Sequence, residues 1–230
     1  MSGQMTKKIH IAGNSDLFHD AISDRLARAG AILTPERNDA DLIVSLDGDI
    51  SADISVLPAH VEGGSAKLCI RVHDLLIPDG INEWGPSDIH EFASMVRNGE
   101  TDVEISDFEI RHWLHVRDAT DALSLLIMAN SDSMPRGVLD MSGRRAWGPE
   151  EIIDEMTILW DRFTNALNHT HTTESLSAVP SPVRNSNRKE SSRPDLGPLN
   201  SSLRKLGTDG WHPLVPMRVA LMEILAHAEK

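Results

Sequence analysis

The chain contains no tyrosine and a single cysteine, and its 22 lysines and arginines stand against 35 aspartates and glutamates. Each shortage removes a class of chemistry. Without a phenol, no mechanism that uses tyrosine as acid, base or nucleophile can operate. One thiol can form neither an intramolecular disulfide nor a cysteine-built metal centre, and Cys69, inside the apolar run Leu68 to Val72, has the setting of a buried, inert side chain. A formal charge of −13 repels phosphate backbones and anionic lipid, so nucleic acid and membrane surfaces are not expected partners. Any phosphorylated ligand must be held by local arginines. No apolar run approaches a membrane span and MSGQMTKK lacks the apolar centre of a signal peptide, so the expected location is the cytoplasm.

What is present reads as α/β. A length of 230 residues with 40% hydrophobic content suits one good core with a small appended lobe. Lys8 to Gly30 forms the clearest unit, a strand, a turn and a helix. Ile9 and Ile11 are β-prone, Gly13 permits the turn, and Asn14, Ser15 or Asp16 can cap the helix that follows. Leu17, Phe18, Ala21, Ile22, Leu26 and Ala29 then share one face, and Gly30 is placed to close the helix in a left-handed conformation. Turns of this kind bind dinucleotides through three glycines. Only Gly13 of such a set is present, with Asp16 and His19 where the later glycines would fall.

Further along, Ala31 to Thr34 and Asp41 to Leu46 read as strands. Too few residues separate them for a crossover helix of about a dozen residues, so they are joined by a tight excursion or are not parallel neighbours. Residues 47–66 are polar and suggest at most a short helix. Lys67 to Val72 is a strand and residues 73–86 a long loop. Ser87 opens a helix that ends at Asn98-Gly99; Val103 to Ile105 and Trp113 to Val116 are strand candidates, the second leading into a helix capped near Asp118. Val138 to Met141 is a strand, Pro149 starts a helix reaching about Phe163, and the last helix covers about Val215 to His227. Polar residues dominate 168–198, which reads as flexible.

Several of these blocks, in order, resemble the extended short-chain dehydrogenase/reductases that act on nucleotide sugars, the NAD-dependent epimerase/dehydratase family. Lys8 to Gly30 resembles the opening strand and helix, and ADLIVSLD at Ala40 to Asp47 resembles DVVIHLA. LCIRVHDLLIPD is similar to LRxxNVYGP, with Arg71, Asp74 and Pro78 at the arginine, asparagine and proline places. IRHWLHVRDATDALSLLI at Ile110 to Ile127 resembles RDFVHVDDVAEALLLLL, GVLDMSGRRAWGPEEIIDEM the next strand, turn and helix, and RPDLGPLNSSLRKLGTDGWHPLVPMRVAL the C-terminal Arg-Pro-x-Asp and Trp-x-Pro pattern.

The resemblance implies a Rossmann-like parallel sheet with helices on both faces, reduced in size, plus a small C-terminal substrate lobe. It divides a single domain over 1–230 into a reduced core at 1–80 and mixed core and lobe elements at 81–230. It also implies NAD(P), a nucleotide-sugar substrate, and a homo-oligomer or a pathway enzyme as partner. Arg111 and Arg193 match the family arginines that reach the substrate diphosphate. The departures are large: the material between the strands at Ala31 and Asp41 is short, and neither the catalytic serine or threonine nor the Tyr-x-x-x-Lys helix has room between Leu46 and Lys67.

A catalytically degenerate protein, without tightly bound cofactor, is therefore expected in sugar or polysaccharide biosynthesis. The alternative is an active nucleotide-sugar enzyme that uses His73, Asp74 or His115 as acid or base, or one that completes a partner's site. Gly13 is read first as a fold-determining glycine and only second as part of a cofactor turn. His112, His115 and Asp118 are not read as metal ligands, because histidines three apart on a strand face opposite ways. The five tryptophans are read as packing.

Overall fold

The computed structural model describes residues 6–49, 51–63, 66–80, 83–100, 108–173 and 193–227. In chain order the elements are β1 (Lys8–Ala12), α1 (Leu17–Arg28), β2 (Ile32–Leu33), β3 (Leu42–Ser45), β4 (Ile54–Pro58), β5 (Leu68–Val72), β6 (Leu75–Leu76), α2 (Asp88–Asn98), β7 (Leu114–His115), α3 (Val116–Met128), β8 (Gly137–Met141), α4 (Pro149–Leu167), α5 (Gly197–Lys205) and α6 (Met217–His227). Six strands form one parallel sheet in the order β2-β1-β3-β4-β5-β8, and β6 pairs with β7 in a separate parallel ribbon. The expected Rossmann-like α/β architecture is present.

The short link between β2 and β3 is explained by strand order. Ile9 of β1 pairs with Leu33 on one side and Leu42 on the other, so β2 and β3 are not neighbours and a single 3-10 turn at Arg37–Asp39 carries the chain past β1. Residues 47–66 depart from expectation. They hold not a helix but β4, a central strand buried along its whole length. Ile54 and Val56 face the main core while Ser55 and Leu57 face away from it, and Pro58 comes last, where β3 has already ended and no amide is needed.

The main core joins alternate residues of the sheet (Ile9, Val44, Ile54, Val56, Leu68, Ile70, Leu139 and Met141) to Phe18, Ile22 and Leu26 of α1, Leu123, Leu126 and Ile127 of α3, and Leu199 and Leu203 of α5. On the opposite sheet face the crossovers are reduced. The β3–β4 and β4–β5 connections, residues 46–53 and 59–67, contain no helix among the described residues, although parallel neighbours ordinarily need about a dozen residues of crossover. The second of these loops comes down on that face, with Gly63 O 4.0 Å from Cys69 Sγ; burial raises the pKa of this thiol and keeps it protonated.

A second core gathers α2, α4 and α6 with Leu76 and Trp113. Here the buried carboxylate of Glu155 on α4 receives both arms of Arg218 on α6, at 2.7 and 3.2 Å. Trp84, Trp113 and Trp211 are buried, in keeping with packing roles.

Several boundaries move. Helix α3 starts at Val116 rather than near Asp118, because His115 caps it with its ring nitrogen and Asp118 is turned inward. Helix α4 continues past Phe163 to Leu167, and α6 starts at Met217 rather than Val215. The expected loop at 73–86 contains β6, and α5 begins inside the stretch read as flexible. Residues 174–192 of that stretch, and the strand candidate Val103 to Ile105, lie outside the described residues. Among the described residues no helix is long and apolar enough to cross a membrane.

Candidate functional site

The turn between β1 and α1 is closed by the chain itself. Gly13 has φ +132°, and a Cβ added there would stand 3.0 Å from Leu46 Cβ, so the close approach of the chain leaving β3 is enough to require glycine. Asp16 is the N-cap of α1, with Oδ1 accepting from the His19 amide at 2.7 Å. Its Oδ2 accepts from the indole N–H of Trp84 at 2.8 Å, and the Trp84 ring lies 4.1 Å from that of Phe18. A pyrophosphate at this helix end would meet a carboxylate already engaged there and a buried tryptophan against it. These residues do not fit an NAD(P) diphosphate.

The ends of β5 and β8 carry a polar network. Asp140 accepts from Arg71 at 2.7 Å and bonds His73 Nε2 at 2.7 Å. Burial would raise the Asp140 carboxyl, but hydrogen bonds from Arg71 and His73 outweigh it and hold the group below its ordinary value. Asp74 follows in the left-handed region with φ +46°, a conformation Asp and Asn tolerate better than most residues. Its Oδ2 accepts from the His112 amide at 2.8 Å, which ties this loop to the approach to β7.

Arg111 sits beside the same loop among three carboxylates, with Nη2 3.3 Å from Asp88, Nη1 3.1 Å from Glu109 and Nη1 3.8 Å from Asp74. The charge of Arg193 adds to burial in lowering the His112 pKa, and its Nη1 donates to Arg144 O at 3.2 Å. His115 spends both ring nitrogens on structure: Nδ1 accepts from the Arg117 amide and Nε2 donates to Glu223 of α6 at 3.0 Å. Asp118 is likewise committed, accepting from the amides of Leu214 and Val215. Among the described residues no three His, Cys, Asp or Glu side chains are grouped to hold a metal ion.

A pocket of about 220 Å³ opens between β7, the turn after β8 and the start of α6, lined among others by Trp113, His115, Arg144, Arg145, Trp147 and Met217. The Arg145 guanidinium carbon stands over the Trp147 ring, 4.0 Å from its centroid, and Arg145 reaches Glu151 at 3.4 Å. Arg144 donates to His212 Nδ1 at 3.0 Å, and His212 Nε2 donates in turn to Asp209 O at 3.2 Å. Neither Arg144, Arg145, His212 nor Trp84 stood out in the sequence. The two adjacent arginines in SGRRAW were the only local signal.

Three histidines set a pH response, His112 and His115 buried and His90 half-buried. Burial lowers the pKa of His90, His112 and His115 below 6.5, and for His115 it outweighs the nearby Glu223 charge. Their folded pKa values are below the unfolded one, so the unfolded chain binds more protons and stability is lost as pH falls through this range. Urea midpoints are expected to drop between pH 7.5 and 5.5, and His115→Gln should flatten that drop.

No family model and no curated protein sequence matches the chain. Its fold does match solved structures. The alignment with a UDP-N-acetylglucosamine 4-epimerase from Bacillus cereus covers 98% of this chain and 100% of that one, with a TM-score of 0.55 at 12% identity. That with the Bordetella bronchiseptica enzyme WbmF in complex with NAD+ and UDP covers 97% and 92%, with a TM-score of 0.54 at 11% identity. That with a UDP-glucose 4-epimerase from Stenotrophomonas maltophila, with bound NAD and formylated UDP-arabinopyranose, covers 97% and 98%, with a TM-score of 0.57 at 9% identity. The chain has the fold of these enzymes.

Proposed function

We propose that the chain is a catalytically degenerate protein of epimerase fold that binds a nucleotide sugar, or an enzyme partner, in sugar or polysaccharide biosynthesis and keeps no NAD(P). The closed end of α1 carries this reading, because Asp16 and Trp84 take the place where that cofactor's diphosphate would lie. The missing tyrosine agrees with it, since the chain has no phenol to move a sugar hydroxyl proton. Cofactor-bound neighbours of the same fold make nucleotide sugars the first ligands to test.

A second reading retains catalysis. The His73–Asp140 pair stands at the carboxyl ends of β5 and β8, with His73 just past β5 and Asp140 in the last two residues of β8, the side on which open α/β sheets bind ligands. Oriented by Asp140 through Nε2, His73 could take or give a proton at Nδ1.

Titration calorimetry of the full chain with NAD(H), NADP(H) and UDP-, GDP- and dTDP-sugars separates the two. Sugar-nucleotide binding without turnover and without response to either cofactor is expected. Tight NAD(H) binding would overturn the degenerate reading, and turnover lost in His73→Asn would establish the second.

A further inference from the structure

We infer that the rim of the pocket beside β7 is a self-association surface, on which Leu214 of each of two copies of this chain seats in the pocket of the other. The inference does not depend on the ligand proposed above.

It starts from one exposed side chain. Leu214 is 80% exposed, more than any other large apolar side chain among the described residues. Its neighbours Pro213 and Val215 line the pocket, so Leu214 stands between two wall residues and is turned out of its own cavity. The backbone that carries it is fixed. The Leu214 amide donates to Asp118 Oδ1 at 2.8 Å and the Val215 amide to Asp118 Oδ2 at 3.1 Å, and Asp118 is buried on α3. The knob is therefore in place before a partner arrives, which lowers the ordering cost of docking.

The hole suits such a knob. Leu76, Val215, Met217 and Ala220 give it an apolar wall, and its one carboxylate, Asp118, is spent on the two amides. Burial holds His115, also in the wall, toward its neutral form. At about 220 Å³ the pocket is below the ~300–1,000 Å³ of sites that enclose a drug-sized ligand, a size that fits a single side chain.

Charge on the rim points to a second copy as the occupant. Arg144 and Asp209 are both exposed, and among the described residues neither makes an ion pair. His212 holds them side by side, its Nδ1 accepting from Arg144 and its Nε2 donating to the Asp209 carbonyl. One patch thus carries a knob and a hole, a cation and an anion. In a two-fold contact residue i meets j while j meets i, so a surface closes on its own copy only when each feature has its complement in the same patch. Here each does. Arg144 of one copy opposite Asp209 of the other also spares two chains of charge −13 a like-charge seam.

Sedimentation equilibrium of the full chain tests this. The native chain is expected to dimerise with a Kd of about 10–100 µM, since the contact rests on few anchors. Leu214→Ala should weaken the dimer about tenfold or more, whereas Leu167→Ala, 60% exposed at the far end of α4, should stay within about twofold. Arg144→Glu and Asp209→Arg should each abolish it, because each sets like charges against one another twice. Their equimolar mixture should form a heterodimer, in which one ion pair is native and the other is exchanged in sign. Melting curves establish that each variant is folded. A native chain still monomeric at about 1 mM overturns the inference and leaves the pocket to a different partner. A dimer that Leu214→Ala leaves intact overturns it too, as does a mixture of the two charge variants that stays monomeric. None of these outcomes touches the proposed function.

Discussion

Trp84→Ala is expected to destabilise the fold by about 3–5 kcal/mol, the range for removing a buried aromatic side chain. Trp84 is 4% exposed, belongs to the main core, and covers the end of α1 through two different contacts. One is apolar, the ring against Phe18, and the other is the indole N–H given to Asp16. Trp84→Phe keeps most of the first and removes the second, so its expected cost is only about 1–2 kcal/mol. Urea midpoints of the two variants therefore separate packing from hydrogen bonding. NAD(H) binding is not expected to appear in Trp84→Ala, because Asp16 still holds a carboxylate at the helix end. A loss below about 1 kcal/mol for Trp84→Ala would mean that the ring does not seal the turn.

The same corner shows what could and could not be read from the sequence. The β1–α1 unit was legible because its signals are local: alternation, a capping residue, helical period and a closing glycine within one run. Asp16 was readable as a cap. Its second partner was not, since Trp84 lies 68 positions away and nothing nearby marks it. Arg144 and His212 are also 68 positions apart, and their contact depends on how the turn after β8 meets the approach to α6. Arg111 carried the resemblance to a diphosphate-binding arginine, but the three carboxylates around it come from the loop after β5, the start of α2 and the chain just before it. Only Glu109 was visible as a neighbour in sequence. The strand β4 escaped notice for a different reason: its apolar pattern, Ile54-Ser55-Val56-Leu57, is short, and Pro58 reads as a breaker until the end of β3 shows that its missing amide costs nothing.

Reduction of the chain and the polarity of one sheet face go together. Where crossover helices would cover the sheet, the outward positions of β5 and β8 are Cys69, Val138, Arg71 and Asp140, with His73 continuing the row, and the polar pair outnumbers the one exposed apolar side chain, Val138. Arg71 and Asp140 pair directly across the strands and so satisfy one another beside solvent. An apolar surface there would have required cover. The short loops and this cross-strand network make the smaller crossover compatible with an intact sheet.

Gly143→Ala is expected to cost about 3 kcal/mol or more, because the obstruction is backbone rather than a movable side chain. A Cβ at this position would overlap the Trp113 carbonyl oxygen and lie 2.9 Å from that of His112. The closeness has a purpose in the fold: the Gly143 amide donates to His112 O at 2.9 Å, while the neighbouring Ser142 carbonyl accepts from the indole of buried Trp211 at 2.9 Å. Relieving the overlap would push the turn that carries Arg144 and Arg145 away from β7, opening both the Trp211 contact and the pocket wall. Gly148→Ala is the control without a backbone clash, since a Cβ there meets no atom within 4 Å and the change from glycine to alanine at a helix N-cap costs about 0.5–1 kcal/mol. Urea unfolding of the two variants, followed by tryptophan fluorescence, should show a large shift for the first and a small one for the second. If Gly143→Ala unfolds within about 0.5 kcal/mol of the native chain, the strand and the arginine turn do not hold one another in place.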